Sequence, residues 1–402
     1  MSKIPLSFEK ISSKLFSYVC DLYLPGERFP YSLQKGGYGT LLGSAFAAYI
    51  ASMLCREQEL PGKKQIADEI LCLRDPDTGL FVDPALKSPH FLNPSSHSAL
   101  YTTLQSTCFC LAALHALGVD FDRRIKWLSP LLEQGKIEKW LDELDWNNPW
   151  LVSNLDMFLG IFLLEWQAHD PNEPRISNAL EEYFRWHDAK QIETTGYWGS
   201  QKDVLNAMAG AYHIVLHYDY AEKTMQYVDR MIDSTLGLIW KDGLFVYGGG
   251  GGSCEDMDAI DILVRLSLIS DYRREDVEKT LTKSAYALSL GQAADGGYSW
   301  KLQPKPVNFI RLLCSKMADC SLAFGTLYAF MYKLRHRSYF NSTHYYSSLS
   351  IYPFKSDCSD MWSSWFRPLA LAMIARRYPH RFYGACDWKM PCWPGLGYDP
   401  FL

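Results

Sequence analysis

The chain has no apolar run long enough to cross a bilayer. Its longest, AFAAYIASMLC (Ala45 to Cys55), falls well short of the roughly 20 residues that a spanning helix needs. Residues 1–20 lack the apolar segment of a secretory signal. Positive charge is not in excess either: the formal net charge of the 402 residues is −5, which removes any electrostatic pull toward nucleic acid or anionic membrane. No CxxC pair occurs, and the 11 cysteines sit mostly in apolar stretches, where reduced thiols act as small hydrophobes rather than zinc ligands. HEXXH and GxSxG are absent as well. These absences leave a cytoplasmic enzyme or small-molecule-binding protein as the expectation, with no nucleic-acid partner, no transmembrane segment and no bound metal.

What the chain has in plenty is aromatic rings: 13 Trp, 25 Tyr and 20 Phe. Rings beyond the needs of a core line cavities for sugars or hydrocarbon. Short Gly-aromatic segments recur, among them DTGLF (Asp77 to Phe81), TGYWG (Thr195 to Gly199), DGLFVYGG (Asp242 to Gly249) and DGGYSW (Asp295 to Trp300). After each comes a helical pattern rich in small and apolar residues, at 98–118, 203–218, 254–269 and 319–334. Segments 147–166 and 359–378 carry the same pattern without the leader, and 39–55 fits the set. More polar helical stretches, such as 175–189 and 274–290, alternate with them.

A helix that is apolar all round must be surrounded by protein. Alternation with amphipathic helices therefore predicts two concentric rings, an all-α, α/α toroid of about six helical hairpins. The expected organisation is one domain over 1–402, with a lead-in over 1–35 and an aromatic C-terminal strap over 379–402.

Polar residues on the apolar helices need a reason. Gln105, Asn154, Asn206 and Asp258 fall near the starts of successive inner helices, 49, 52 and 52 residues apart, and Asp319 and Asp360 follow at 61 and 41. Such spacing places them around one central pocket, or else they cap and solvate helix ends. Within SCEDMDAIDIL (Ser253 to Leu263) three acids have structural explanations. Ser253 and Asp256 form a capping-box-like pair, Glu255 suits the first turn, and Asp261 is four residues from Arg265. Asp258 has none: at about 100° per residue it shares a face with Glu255, Ile262 and Leu266, and an inward carboxylate is costly unless paired, protonated or bound to a ligand. Asp258, with Glu255 and Asp256 in support, is the candidate catalytic centre. The preceding glycines suggest a flexible rim over the cup. His213 and His217 share a face with Asn206, and Trp362, Trp365 and Arg367 belong to the last inner helix. His213, Trp198, Trp362, Trp365 and Arg367 join the polar set as candidate substrate-binding residues, Arg367 also being placed to neutralise an inward acid.

With the repeat and the acidic helix in view, the chain resembles the squalene and terpene cyclase and protein prenyltransferase superfamily over most of residues 35–380. DMDAIDIL is similar to the DxDD segment of class II cyclases: Asp256 takes the first Asp, Asp258 the proton-donating one, and Ala259 replaces the last. The resemblance implies acid-initiated chemistry on an isoprenoid, with Mg2+ entering only if the substrate is a diphosphate. Two other readings stand beside it. Carbohydrate-active enzymes use the same double ring, and Asp258 would then work with Glu255, Asp319 or Asp360. A third is a non-catalytic scaffold. A dry cavity favours hydrocarbon, an open wet cleft favours sugar, and a filled core favours the scaffold.

Overall fold

The apolar segments fold as helices that touch one another in a closed order. The computed structural model describes residues 3–84, 99–246, 249–302, 355 and 357–402. In chain order the helices are α1 (Phe8–Asp21), α2 (Leu41–Met53), α3 (Lys63–Cys72), α4 (Ala99–Leu117), α5 (Lys136–Asp142), α6 (Pro149–His169), α7 (Pro174–Lys190), α8 (Val204–Tyr220), α9 (Val228–Leu236), α10 (Ser253–Ile269), α11 (Arg274–Ser289) and α12 (Met361–Arg377). The strand content is one two-residue antiparallel pair among the described residues, Tyr298–Ser299 (β1) with Ser359–Asp360 (β2). The protein is thus all-α. Among the described residues no helix is long and apolar enough to cross a membrane.

Helices α2, α4, α6, α8, α10 and α12 are the apolar set. Each packs on the next, and α12 returns to α2. Their burial is nearly complete: every residue of α10 from Ser253 to Ser267 is buried. That degree of enclosure is what a helix without a polar face requires. The amphipathic helices fill the other faces, with α3 against α2 and α4, α7 against α6, α9 against α8 and α10, and α11 against α10 and α12. The segment 319–334, with Asp319, lies outside the described residues; α10 and α12 contact each other directly.

Polar side chains fix where the apolar helices begin. Thr40 accepts from the Gly43 amide, Asp203 from the Leu205 and Asn206 amides, and Asp360 from the Ser363 amide, each satisfying donors the first turn leaves open. Ser253 is not the cap of α10. Gly252 holds that position, and the Ser253 hydroxyl instead lies 3.2 Å from the Ser363 hydroxyl of α12. The Asp256 amide bonds the Gly252 carbonyl, so the capping-box expectation is replaced by a contact between two neighbouring apolar helices.

After α12 the chain crosses the C-terminal ends of the apolar helices. Lys389 N donates to the Met53 carbonyl of α2 (2.9 Å), and Gly397 N donates to the Tyr212 hydroxyl of α8 (3.1 Å). Arg376 pairs with Asp399 at 2.6 Å, and Arg265 of α10 donates to the Tyr398 carbonyl. At the other terminus Ile4 bridges Phe382.

Candidate functional site

A cavity of about 830 Å³ lies between the six apolar helices, and each of them contributes to its wall. Helix α4 presents a stripe, Tyr101, Gln105, Cys108, Phe109, Ala112 and Ala116, at the three- and four-residue steps of one helical face. From Tyr101 to Gly118 the wall extends roughly 25 Å at 1.5 Å per residue. The cavity is therefore a channel rather than a shallow cup. At one end stand residues from the first turns of the apolar helices, including Asn154, Asn206, Cys254, Asp258 and Trp362. At the other stand Met53, Glu57, Leu117 and the strap residues Lys389 to Trp393. The Trp393 ring stacks on His115 there, with centroids 6.1 Å apart.

Asp258 is 2% exposed and its Oδ2 has no hydrogen-bond partner among the described residues. Burial, followed by the nearby charges of Glu255, Asp261 and Asp256, raises its pKa well above the ordinary carboxylate range. Burial thus favours its neutral, carboxylic-acid form. Glu255 is pushed up to about 7, chiefly by burial, and accepts a 3.3 Å contact from the Cys254 thiol.

Asp256 faces elsewhere and is absent from the cavity wall among the described residues. Its Oδ1 accepts from Phe245 N at 2.8 Å and its Oδ2 from Arg367 Nη1 at 3.2 Å. Arg367, wholly buried, also donates to the Ser299 carbonyl at 3.0 Å and to the Trp300 carbonyl. Arg367 is thus spent on neutralising Asp256 and holding β1, which leaves neither of the two for a substrate. Asp261 pairs with Arg265, which also reaches Asp219.

The glycines before α10 answer to the two carboxylates. A Cβ on Gly251, which has φ +63°, would collide with Asp256 Oδ2, and one on Gly252 with Glu255. Only glycine lets the backbone lie against both side chains. Gly250 N donates to Asp242 at 2.6 Å, and Gly250 O accepts from Leu302 N at 3.1 Å. The described part of this loop is pinned from two sides, not the loose rim its composition suggests.

The remaining candidates divide. Gln105, Asn154, Asn206, His213, Trp362 and Trp365 line the cavity with Asp258. Asp360 does not: it caps α12, receiving the Ser363 amide at 2.7 Å and the Ser363 hydroxyl at 2.8 Å, while burial pushes its pKa up to about 7. Trp198 donates its indole N–H to the His187 carbonyl at 2.8 Å inside the α7–α8 packing and is likewise absent from the wall. Asp319 lies outside the described residues. His213 Nδ1 is 2.8 Å from the Ser153 hydroxyl, and burial lowers its pKa to about 3, so the ring is neutral. His217 bonds the Tyr183 hydroxyl instead, at 2.7 Å. The two histidines therefore serve different partners, and among the described residues no cluster of three or more His, Cys, Asp and Glu could hold a metal ion. Sequence reasoning missed Ser153 and the strap residues. A signal for the first existed in its i, i+4 offset from Met157 on the wall; the strap has no periodicity to read.

Concentrating acids with raised pKa inside the fold makes stability depend on pH. Glu255 and Asp360 hold protons more tightly folded than unfolded, and Asp258 is shifted in the same direction; the stability the first two contribute is whole below about pH 4 and is lost as pH rises through about 7. His213 and His217, lowered to about 3, act in the opposite sense, but only below their unfolded value of about 6.5. Above pH 6.5 the acids act unopposed. The thermal midpoint followed by circular dichroism is expected to be lower at pH 8.5 than at pH 6.5, and a rise over that interval contradicts the protonated state of these acids.

No family model matches the chain, and neither does any curated protein or solved structure.

Proposed function

We propose that the chain is an α/α toroid carrying out acid-initiated chemistry on an isoprenoid or comparable apolar substrate, with Asp258 as the general acid. The fold reading is supported by the closed order of the six apolar helices with the amphipathic set against their other faces. The chemical reading is carried by one observation: a buried carboxyl, whose pKa burial raises and whose Oδ2 has no partner among the described residues, on the wall of a long aromatic channel. Desolvation keeps the proton on Asp258 until a substrate bond accepts it, and Glu255 beside it reinforces that state. Trp362, Trp365, Phe109 and Phe366 line the same space, where an aromatic face stabilises a positive charge developing on carbon. The resemblance of DMDAIDIL to the class II cyclase segment agrees with this role for Asp258. A sugar-cleaving mechanism needs a second carboxylate close across the cavity; Glu255 and Asp360 are not on its wall among the described residues, and Glu57, which is, stands at the opposite end from Asp258.

The test is a thermal-shift panel of isoprenoid alcohols and diphosphates against mono- and oligosaccharides, each with and without Mg2+. Isoprenoids are expected to raise the midpoint by mass action, with Mg2+ mattering only for diphosphates. A shift with sugars alone overturns the reading.

A further inference from the structure

The polar patch beside Asp258 has a defined sense of hydrogen bonding. Asn154 Nδ2 donates to the Trp150 carbonyl at 2.8 Å, and Asn206 Oδ1 accepts from Trp150 N at 2.7 Å. One residue's backbone thus orients both side-chain amides, because reversing either would set donor against donor or acceptor against acceptor. What remains is fixed: Asn154 keeps its oxygen and Asn206 its amino group, neither with a protein partner among the described residues. Both residues are half-buried and line the cavity together with Asp258. An acceptor and a donor are therefore built onto two adjacent helices, in a wall that also carries Gln105, His213 and a set of aromatic rings.

From this geometry we infer that the ligand is an apolar alcohol whose hydroxyl lies between Asn154 and Asn206, within reach of the Asp258 acid. A hydroxyl donates once and accepts, so it satisfies both amides; an ether or oxirane oxygen only accepts, and an alkene does neither. The inference rests on the acid role proposed for Asp258 and names the substrate's reacting group. The chemistry balances without a further reactant. Asp258 transfers its proton to the hydroxyl oxygen, and the C–O bond breaks with its electron pair remaining on oxygen. Water is left against the two asparagines and a cation on carbon. An adjacent C–H then returns a proton to the Asp258 carboxylate, restoring the acid and leaving an alkene. Run backwards, the same steps hydrate the alkene.

The experiment measures binding to the full chain carrying Asp258→Asn, which holds ligands without turnover. Three probes share one isoprenoid skeleton: the alcohol, its methyl ether and the hydrocarbon. The alcohol is expected to bind about tenfold more tightly than the hydrocarbon, the ordinary contribution of one to two hydrogen bonds, with the ether between them. Asn206→Asp keeps the acceptor for Trp150 N and removes the donor, so it should abolish the preference for the ether over the hydrocarbon, while the alcohol keeps the bond it donates to the Asn154 oxygen and hydrocarbon affinity is unchanged. Equal binding of alcohol and hydrocarbon, or an ether preference that survives Asn206→Asp, overturns this inference alone. If none of the three binds, the isoprenoid reading falls with it. The thermal midpoint of Asn206→Asp, expected to match the parent, separates a lost donor from a damaged fold.

Discussion

Replacing Asp258 by Asn is expected to cut turnover by about 10²–10⁴-fold, the range for loss of a general acid, while the protein remains folded. The two side chains have nearly the same size, so the wall of the channel keeps its shape. What changes is the proton: a carboxylic acid can release it to substrate, an amide cannot. The fold should tolerate the change because among the described residues Asp258 makes no ion pair and its Oδ2 has no partner to lose. The amide also removes the desolvation cost that a buried carboxylate carries once it ionises, so the thermal midpoint of the variant at alkaline pH should equal or exceed that of the parent. The measurement is product formation by the two proteins on whichever isoprenoid stabilises them, beside their melting curves. Turnover retained by a folded Asp258→Asn protein sinks the assignment of the acid. Asp258→Glu tests position separately: it keeps the proton but moves it by one methylene, and rate should fall without disappearing.

The layout of the channel could be read from the sequence because it is periodic. Gln105, Asn154, Asn206 and Asp258 stand 49, 52 and 52 residues apart, and one helical hairpin of this protein takes about that many residues. Polar side chains at equal phase in successive hairpins therefore enter at equal height, and all four line the cavity. Helical periodicity likewise separated Asp258, which continues an apolar stripe, from Asp261, which has Arg265 one turn away. It did not separate Asp258 from Asp256. Both are buried in the same helix, and what distinguishes them is a cation 111 residues downstream, Arg367. Nothing local to either segment encodes that pairing. Asp360 shows the same limit in another form, since an inward acid at the start of a helix and an N-cap occupy the same sequence position. The glycine run read as a flexible rim, and its close approach to Asp256 and Glu255 became clear only from the collision a Cβ would cause. Strap residues such as Trp393 carry no period at all, yet they close one end of the channel.

Arg367→Met is expected to destabilise the fold by about 3–5 kcal/mol, the cost of stripping one partner from a buried ion pair. Methionine retains most of the length and apolar volume of the side chain, so packing is largely kept and the loss is electrostatic. Asp256 would be left in the core with the Phe245 amide as its one remaining donor, and the Ser299 and Trp300 carbonyls would each lose a bond. Three elements that bring the acid end of the channel together, α10, α12 and β1, are joined through this one guanidinium. Adding Asp256→Asn removes the orphaned charge, and the double variant should recover part of the loss, giving a coupling energy of about 0.5–3 kcal/mol. Chemical denaturation of the parent, both single variants and the double variant measures it. Additive losses would mean that the pair is not coupled and that Arg367 is free for another role. Arg367→Lys discriminates further: a point charge can face Asp256 but cannot also bond both carbonyls in the plane of a fork, so the lysine variant should sit between parent and methionine. If Arg367 instead held a substrate anion, the order of stabilities would collapse and ligand affinity would carry the difference. The burial of all of its donors within the protein favours the first outcome.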